Sequence, residues 1–240
     1  MSWPTKKGPQ SDSRAGRRCG ASHPRARAVK PIFGLVEPAA STFGRPSAGA
    51  GRDVISLGGK TVRLRPFESS ELDAVWSIHR AGRQARGLPL RGGKQRLARL
   101  FRQSGSFDEG DLLYLAIEAE DTLAGEVDAR RRSTGLPPGV FELGIDLYER
   151  ERRGRGFGTE ALRLLITYLF DDGAAERLEV RTSLDNAAMC RVLEKLGFVR
   201  EGVLRAFMPG ESGRTDYGMF ALLRGDWSAR AGAQPGDTEA

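Results

Sequence analysis

A strand pattern that runs directly into a helix pattern, through a turn rich in arginine and glycine, is the feature that most constrains the fold. Residues 141–147 alternate between apolar and polar side chains, residues 153–158 read RGRGFG, and apolar residues from position 161 onward recur at helical spacing. The first N–H groups of a helix have no intrahelical acceptor and carry the positive end of the helix dipole. The pattern therefore predicts a backbone cradle for a phosphate or pyrophosphate.

The composition of this turn leaves a second interpretation open. Its side chains include Arg150, Arg152, Arg153 and Arg155. Such a run is also typical of a solvated loop or of an RNA-binding patch. The position between strand and helix favours the cradle. The chain contains no G-x-x-x-x-G-K-[ST] string, and the glycines at 154, 156 and 158 do not have the G-x-G-x-x-G spacing of a Rossmann turn.

Two sequence blocks carry a resemblance to a known family. Residues 153–158 read R-x-x-G-x-G, which resembles the acetyl-coenzyme A signature of the GNAT superfamily of N-acetyltransferases. Residues 186–198, NAAMCRVLEKLGF, resemble the asparagine-containing helix of the same superfamily, which ends in K-x-G-F. The likeness extends from about Lys60 to Trp227, and the ribosomal-protein-alanine acetyltransferase type is the most similar branch. It implies an enzyme that transfers an acetyl group from acetyl-CoA to a primary amine by direct attack in a ternary complex.

The resemblance also implies a set of coenzyme-binding residues. They are Leu147, Arg153, Gly154, Arg155, Gly156, Phe157, Gly158, Thr159 and Asn186. A side-chain amide such as that of Asn186 can donate to and accept from the pantetheine amides. The same asparagine could instead serve as the N-cap of its helix. No metal ligand is implied.

Glu142 is the residue that we expect to act as the catalytic base, directly or through water. It lies on the polar face of strand 141–147, at a position where the similar branch often carries a glutamate, although it could also be an exposed strand carboxylate. Asp146 and Glu126 are further candidates. A lysine-like amine, with a pKa of about 10.4, must be deprotonated at a cost of roughly 4 kcal/mol at pH 7, whereas an α-amine needs only about 1.

No general acid is assigned. Some family members carry a tyrosine seven residues after the asparagine, or a serine three residues after it, and this chain has Leu193 and Met189 there. Tyr217 is a possible donor. Cys190 is expected to be a packed small residue. His79, on the helical stripe of Leu72, Val75 and Trp76, is expected to be structural, and with two histidines in the chain no His/Cys zinc site can be assembled.

The charge of the chain is concentrated at its N-terminus. Residues 1–52 hold ten Lys and Arg against two acidic residues, a net charge of +8, together with six of the twelve prolines. We expect residues 1–52 to be a disordered basic tail, 53–228 to be the acetyltransferase domain and 229–240 to be a disordered tail. The basic segment has three interpretations: a mis-assigned upstream start, an arm for RNA or the ribosome, or a targeting peptide.

The remaining patterns predict a mixed α+β fold. A strand at 62–66, two helices within 70–103 and a hairpin at 112–131 precede the turn, and a strand, a helix capped by Asp185 and two further strands follow it. We expect a GNAT-like, mostly antiparallel central sheet of about seven strands with helices on both faces. No apolar run is long enough to span a membrane, and two cysteines suggest no disulfide framework, so a cytoplasmic location is expected.

A second function class stays open at this point. A GNAT-like module without catalytic activity could bind nucleic acid or the ribosome through its basic tail. Acetyl-CoA turnover would separate it from the enzyme. The sequence does not identify the acceptor amine or the oligomeric state. The arginines between residues 80 and 99 are compatible with an acidic or phosphorylated acceptor, but the pattern favours solvated helix faces.

Overall fold

A computed structural model of the 240-residue chain describes residues 54–85, 92–107, 111–131, 138–210 and 213–233. Within these ranges eight strands form one sheet: β1 (Leu57–Gly58), β2 (Val62–Arg65), β3 (Leu112–Ala119), β4 (Thr122–Arg131), β5 (Val140–Leu147), β6 (Arg177–Ser183), β7 (Val199–Gly210) and β8 (Gly213–Leu223). The described helices are α1 (Leu72–Ala85), α2 (Gly93–Arg102), α3 (Phe157–Asp171), α4 (Ala187–Leu196) and α5 (Arg224–Ala233).

The sheet has the order β1-β2-β3-β4-β5-β6-β8-β7. Every neighbouring pair is antiparallel except β5 and β6, which are parallel because α3 carries the chain back across the sheet between them. The predicted fold class, a mixed and mostly antiparallel sheet, is confirmed. The strand beyond the expected seven is β1, which has two residues.

Helices lie on both faces of this sheet, as the alternation of β3 demonstrates. Leu113, Leu115 and Ile117 are fully buried in the main core, which also contains the buried stripe of α3. The intervening Tyr114 and Ala116 pack in a second cluster with residues of α1 and α2. Each face of the sheet therefore has its own helical layer, and β3 contributes to both.

Strands β5 and β6 separate after a short stretch of pairing. Their register has three positions, ending with Glu142 opposite Glu179, although β5 continues to Leu147 and β6 to Ser183. Beyond these positions the β6-facing N–H and C=O groups of β5 are not part of the β5–β6 ladder. The sheet is therefore open at its centre, and a ligand can pair with this edge of β5 as an added strand would.

Some element ends differ from those predicted. The cap of α4 is Asn186 rather than Asp185, because the Asn186 side chain accepts a hydrogen bond from the backbone N–H of Met189. Helix α5 extends to Ala233, past the predicted domain end at residue 228. Residues 1–53 and 234–240, where disordered tails are predicted, lie outside the described residues. Among the described helices, none is both long enough and apolar enough to cross a bilayer.

Candidate active site

The N-terminus of α3 forms a turn that glycine alone adopts without strain. Gly154 has φ of +78°, and Gly156, the N-cap residue, has φ of +93°. A Cβ atom at either position would meet nothing within 4 Å, so backbone conformation rather than crowding selects glycine. The open space in front of the turn is bordered by the first N–H groups of α3. The turn for which the sequence predicts an anion cradle thus has the backbone geometry that such a cradle requires.

A cavity of about 450 Å³ opens beside this turn, between the end of β5, the start of α3 and α4. Its lining includes seven of the nine residues predicted to bind the coenzyme: Leu147, Arg153, Gly154, Gly156, Gly158, Thr159 and Asn186. Apolar walls come from Ile145, Leu162 and Val192. The cavity therefore combines the glycine turn at the start of α3 with apolar walls next to the end of β5.

Arg153 supplies a side-chain cation beside the cradle. One of its Nη2 hydrogens is donated to the backbone oxygen of Leu147 at 3.1 Å, which places the guanidinium at the end of β5. Its Nη2 also lies 3.9 Å from the Asp146 carboxylate, and the side chain is 54% exposed. A guanidinium held in this way can contact an entering phosphate.

The other two predicted coenzyme residues have side chains directed elsewhere. The Arg155 guanidinium forms an ion pair with Glu120 and lies 4.7 Å above the ring of Phe157. Phe157 is itself buried in the main core, with 4% exposure. The sequence motif did not distinguish these orientations, because successive residues in a tight turn point in different directions. The backbone N–H of Phe157 nevertheless belongs to the first turn of α3.

Asn186 combines two roles that the sequence left as alternatives. Its Oδ1 accepts from the N–H of Met189 at 3.1 Å and so caps α4, while the residue also lines the cavity. A cap uses the carbonyl oxygen of the side chain, and the NH₂ group of an amide is a donor. Capping therefore fixes the asparagine at the cavity wall in a defined orientation.

Glu142 occupies the last paired position before the sheet opens. Its carboxylate is held at both oxygens by Arg181 of β6, with Nε 3.1 Å from Oε1 and Nη2 paired with Oε2. The Glu142 side chain is 21% exposed. Glu142, the predicted base, therefore lies where β5 and β6 stop pairing, on the face of the sheet opposite the cavity. Arg181 fixes the orientation of its carboxylate.

A buried carboxylate cluster lies on the same face. Oε2 of Glu126 accepts hydrogen bonds from the hydroxyls of Tyr114 and Tyr148, both at 2.6 Å, and lies 2.8 Å from Nε2 of His79. The predicted structural role of His79 fits this contact, which ties α1 to the sheet. Because Glu126 satisfies three partners with one oxygen, we assign it a mainly architectural role.

The same contacts shift the pKa values of the cluster. The hydrogen bond to Glu126 raises the pKa of His79 above its usual 6.5, against the opposing effect of burial. Burial alone would raise the pKa of Glu126, but its partners, above all His79, outweigh burial and lower it. Burial also raises the pKa of the Tyr114 and Tyr148 hydroxyls above their usual range, so both remain protonated donors.

Asp128 occupies the space that Gly144 leaves. The two residues are opposite each other in the β4–β5 register, and a Cβ on Gly144 would lie 2.3 Å from Oδ1 of Asp128. The Asp128 side chain is 26% exposed, with Arg130 3.5 Å away. Burial, reinforced by the charges of Glu126 and Glu142 and opposed by Arg130, raises the pKa of Asp128 to about 6.

Asp128, Tyr114, Tyr148 and Arg181 are the residues of this face that sequence reasoning missed. The alternation within β4, where Glu126, Asp128 and Arg130 share one side, was the available signal. The antiparallel register places that side beside Glu142, Gly144 and Asp146 of β5. The sequence predicted the hairpin of β3 and β4 but not the pairing of β4 with β5 or its register.

The positions considered for a general acid offer no hydroxyl at the cavity. Leu193 is fully buried in the core and Met189 lines the cavity. Tyr217 lies on β8, with its ring 5.4 Å from that of Phe207. Cys190 is partly buried and packs against the main core, as expected. In the described part of the chain no group of three His, Cys, Asp or Glu side chains is placed to hold a metal ion.

Comparison with protein families identifies one match. The model of the Acetyltransferase (GNAT) domain aligns with residues 61–199, which is more than half of the chain and includes the turn, the cavity and α4. Among curated proteins, 90 residues are 33% identical to "Uncharacterized N-acetyltransferase p20" of Bacillus licheniformis, covering 38% of this chain and half the length of that protein. "Probable N-acetyltransferase YjcK" of Bacillus subtilis is 26% identical over 71% of this chain and 98% of its own length.

Solved structures share the fold. The ribosomal-protein-S5-alanine acetyltransferase of Vibrio fischeri superposes with a TM-score of 0.60 at 22% identity, over 72% of this chain and 98% of that one. RimL, a ribosomal L7/L12 alpha-N-protein acetyltransferase solved in complex with coenzyme A, has a TM-score of 0.58 at 16% identity, over 70% of this chain and 98% of its own.

Proposed function

This chain belongs to the GNAT acetyltransferase family and is an acyltransferase, and we propose that it transfers the acetyl group of acetyl-CoA to a primary amine by direct attack in a ternary complex. One observation carries the proposal. Beyond Glu142 the pairing of β5 with β6 ends, and the cavity below α3 is lined by Ile145 and Leu147 of that stretch, while Glu142 and Gly144 lie on the other face of the strand. An acyl donor and an amine can therefore meet at β5 from opposite sides.

The donor is proposed to bind along the cavity. Its pyrophosphate would accept from the first N–H groups of α3 and from Arg153, and its pantetheine would pair with the open edge of β5 up to Leu147. The Asn186 amide would donate to a pantetheine carbonyl. The glycines at 154, 156 and 158 and Thr159 would shape the cradle, and Phe157 would contribute its N–H. The side chain of Arg155, paired with Glu120, would not contact the donor.

The reaction needs positioning, proton removal and stabilisation of an oxyanion. A neutral amine attacks the thioester carbonyl, a tetrahedral oxyanion forms, and coenzyme A leaves as the thiolate. Backbone N–H groups at the open edge of β5 would stabilise the oxyanion. Glu142, held by Arg181, is proposed to accept the proton that the nitrogen loses after the attack, directly or through water.

The acceptor is proposed to be an α-amine, as in a protein N-terminus, or a small-molecule amine of similarly low pKa. Two of the solved structures with this fold are named as enzymes that acetylate ribosomal proteins. An α-amine is also the acceptor that needs the least help in losing its proton, by about 3 kcal/mol relative to lysine. The carboxylates of the β4–β5 face would attract such a cation before transfer.

Two measurements test this proposal. Calorimetric titration of the full chain with acetyl-CoA, against desulfo-CoA and ADP, should give micromolar or tighter binding with a clear preference for the intact coenzyme. Release of coenzyme A should then be followed with a peptide bearing a free N-terminal alanine, with the same peptide blocked at its N-terminus, and with spermidine. Absence of acetyl-CoA binding would refute the donor site, and equal rates with the blocked peptide would refute the α-amine acceptor.

The basic segment 1–52 is proposed to steer the enzyme toward an acidic or ribosomal partner. Its net charge of +8 contrasts with a balance near zero over the remaining residues. If steering is its role, removal of residues 1–52 should reduce the affinity for RNA or ribosomes and flatten its dependence on salt, while turnover of the free peptide stays unchanged. Unchanged salt dependence would refute the steering role.

A further inference from the structure

We propose that Asp128 is a catalytic residue of this enzyme, which takes the proton that the acceptor carries as an ammonium and delivers it to the departing coenzyme A. The inference rests on the proposed function, because it assigns a proton carrier to the same acetyl transfer. It concerns a proton other than the one assigned to Glu142.

The position of Asp128 is created by the absence of a side chain on β5. Its Oδ1 lies where a Cβ of Gly144 would be, at 2.3 Å from that ideal atom, so the carboxylate extends over the backbone of β5. Gly144 is two positions beyond the last paired residue of β5, Glu142. The carboxylate therefore reaches toward the open edge where the thioester is proposed to lie, and no side chain of residue 144 separates the two.

Two other carboxylates of this face, Glu126 and Glu142, have closer partners than Asp128 has. Glu126 accepts from two tyrosine hydroxyls and contacts His79. Glu142 is held at both oxygens by Arg181. Asp128 has one ion-pair partner, Arg130, at a looser 3.5 Å from a side chain that is 55% exposed. Of these three, Asp128 is the carboxylate that can change its protonation state with the least loss of structure.

The electrostatic surroundings are consistent with this role. The charged and titratable groups on the elements around Asp128 are Arg130 and Glu126 of β4, Glu142 and Asp146 of β5, Arg181 of β6, Tyr114 of β3, Tyr148 after β5, and His79 and Arg83 of α1. Burial and the nearby acidic charges raise the pKa of Asp128 to about 6. A carboxylate of that pKa is ionised at pH 7 and is a better base than an ordinary aspartate.

The protons balance when Asp128 and Glu142 each accept one proton from the acceptor nitrogen. The ammonium R–NH₃⁺ gives one proton to Asp128, and the resulting R–NH₂ forms the C–N bond with the thioester carbon. As the tetrahedral intermediate collapses, the C–S bond breaks, the nitrogen loses its second proton to Glu142, and the thiolate takes the proton held by Asp128. A thiol pKa of about 8.5 lies above that of Asp128, so this last transfer is downhill. The products are the amide, coenzyme A thiol and one proton.

The test is the pH dependence of kcat/KM for the alanine peptide in Asp128→Asn. Wild type should lose activity as the pH falls through about 6. The variant should be about 100-fold slower at pH 7, and its deficit should shrink toward pH 9, where the peptide amine is already neutral. Acetyl-CoA affinity should be unchanged. Glu118→Gln is the matched control, because the Glu118 side chain is a carboxylate of similar exposure, 23%, on the neighbouring strand β3. A deficit that is equal at all pH values would overturn the proposal.

Two further measurements keep the proposal falsifiable. Gly144→Ala displaces the Asp128 carboxylate and should reproduce the pH-dependent deficit, even if Asp128→Asn does not fold. In the wild-type chain, ¹³C NMR of the aspartate carboxyls should give Asp128 a midpoint well above 3.8. A titration midpoint near 3.8 would overturn the assignment of Asp128, and this measurement does not require that any amine is acetylated. Failure to acetylate any amine would instead refute the proposed function.

Discussion

The two sides of β5 are built in different ways. The side toward α3 and α4 forms the cavity from glycines, backbone N–H groups and apolar walls, with Arg153, Arg191 and Lys195 as cationic lining residues. The side toward α1 carries Glu142, Asp128 and Glu126 with their tyrosine and arginine partners. One side is suited to an anionic ligand of extended shape, and the other to a cation that must lose a proton.

The difference lies in how far apart the contributing residues are in sequence. The residues of β5, the turn and the start of α3 that line the cavity lie within 145–162, and α4 with its cap adds one further segment. The carboxylate face combines His79, Tyr114, residues 126–130, Tyr148 and Arg181, which meet only through strand pairing and helix packing. We therefore expect variants of the first side to change coenzyme affinity, and variants of the second to change turnover and pH dependence.

The largest expected effect is on the coenzyme side, for Gly158→Glu. A Cβ at Gly158 would lie 3.6 Å from side-chain atoms of Ile145 and Leu147, an ordinary contact at the cavity wall. The longer, negatively charged side chain would oppose the pyrophosphate, and we expect acetyl-CoA affinity to fall by more than about 100-fold, measured by calorimetry. Gly158→Ala is the control and should bind normally. Normal binding by Gly158→Glu would refute the cradle assignment.

Glu142→Gln should lower turnover without weakening coenzyme binding, in contrast to Gly158→Glu. Acetyl-CoA affinity should be nearly unchanged, while kcat for the alanine peptide should fall by about 30-fold, because the amide cannot accept the proton. Glu118→Gln serves again as the control, since Glu118 is also a strand carboxylate in an arginine ion pair, with Arg65. A Glu142→Gln enzyme with full kcat would remove Glu142 from the mechanism.

Arg153 and Arg155 provide a sharper comparison within the turn. Arg153 lines the cavity, whereas the Arg155 side chain pairs with Glu120. Arg153→Ala should weaken acetyl-CoA binding by about tenfold, the equivalent of about 1.4 kcal/mol. Arg155→Ala should change the affinity by less than about twofold. If the two substitutions had equal effects on the dissociation constant, the assignment of the two side chains would be wrong.

The smallest effect is expected for His79→Gln, which should lower the free energy of unfolding. His79 has a raised pKa and Glu126 a lowered one, so their pairing stabilises the fold most between about pH 4.5 and 6.5. The stabilisation is lost as the pH rises through the folded-state pKa of His79, and as it falls through that of Glu126. Urea unfolding at pH 6 should show a loss of about 1 kcal/mol, which should shrink at pH 9. A loss independent of pH would exclude the charged pair.

Much of the fold was predictable because the signals were local. The alternation in residues 141–147 and the helical stripe that follows were read correctly, and both lie in the main core as expected. The hairpin of β3 and β4 and the mostly antiparallel class were also predicted. Two details were not settled from the sequence. Asp185 and Asn186 were both candidate caps of α4, and Asn186 is the residue whose side chain reaches the N–H of Met189. Helix α5 extends to Ala233, beyond the predicted domain end at residue 228.

The candidate site was predictable to a smaller extent. Seven of the nine residues predicted to bind the coenzyme line the cavity, because most of them belong to a turn and the helix that follows it, which are continuous in sequence. The side chains of Arg155 and Phe157 have other partners, Glu120 and the core, which lie far away in the chain. Asp128 was missed because its importance depends on the register that sets it against Gly144.

The sequence by itself determined the glycine turn and helix start that we propose as an anion cradle, because positive φ angles favour glycine and exposed helical N–H groups require a helix start, and both are local properties. Tertiary structure alone decided where β5 separates from β6, which carboxylates share a face, and which of them has a raised pKa. Strand register, burial and the distance between charges are properties of segments brought together by folding, and a carboxylate becomes a base or a structural anchor according to the neighbours it acquires there.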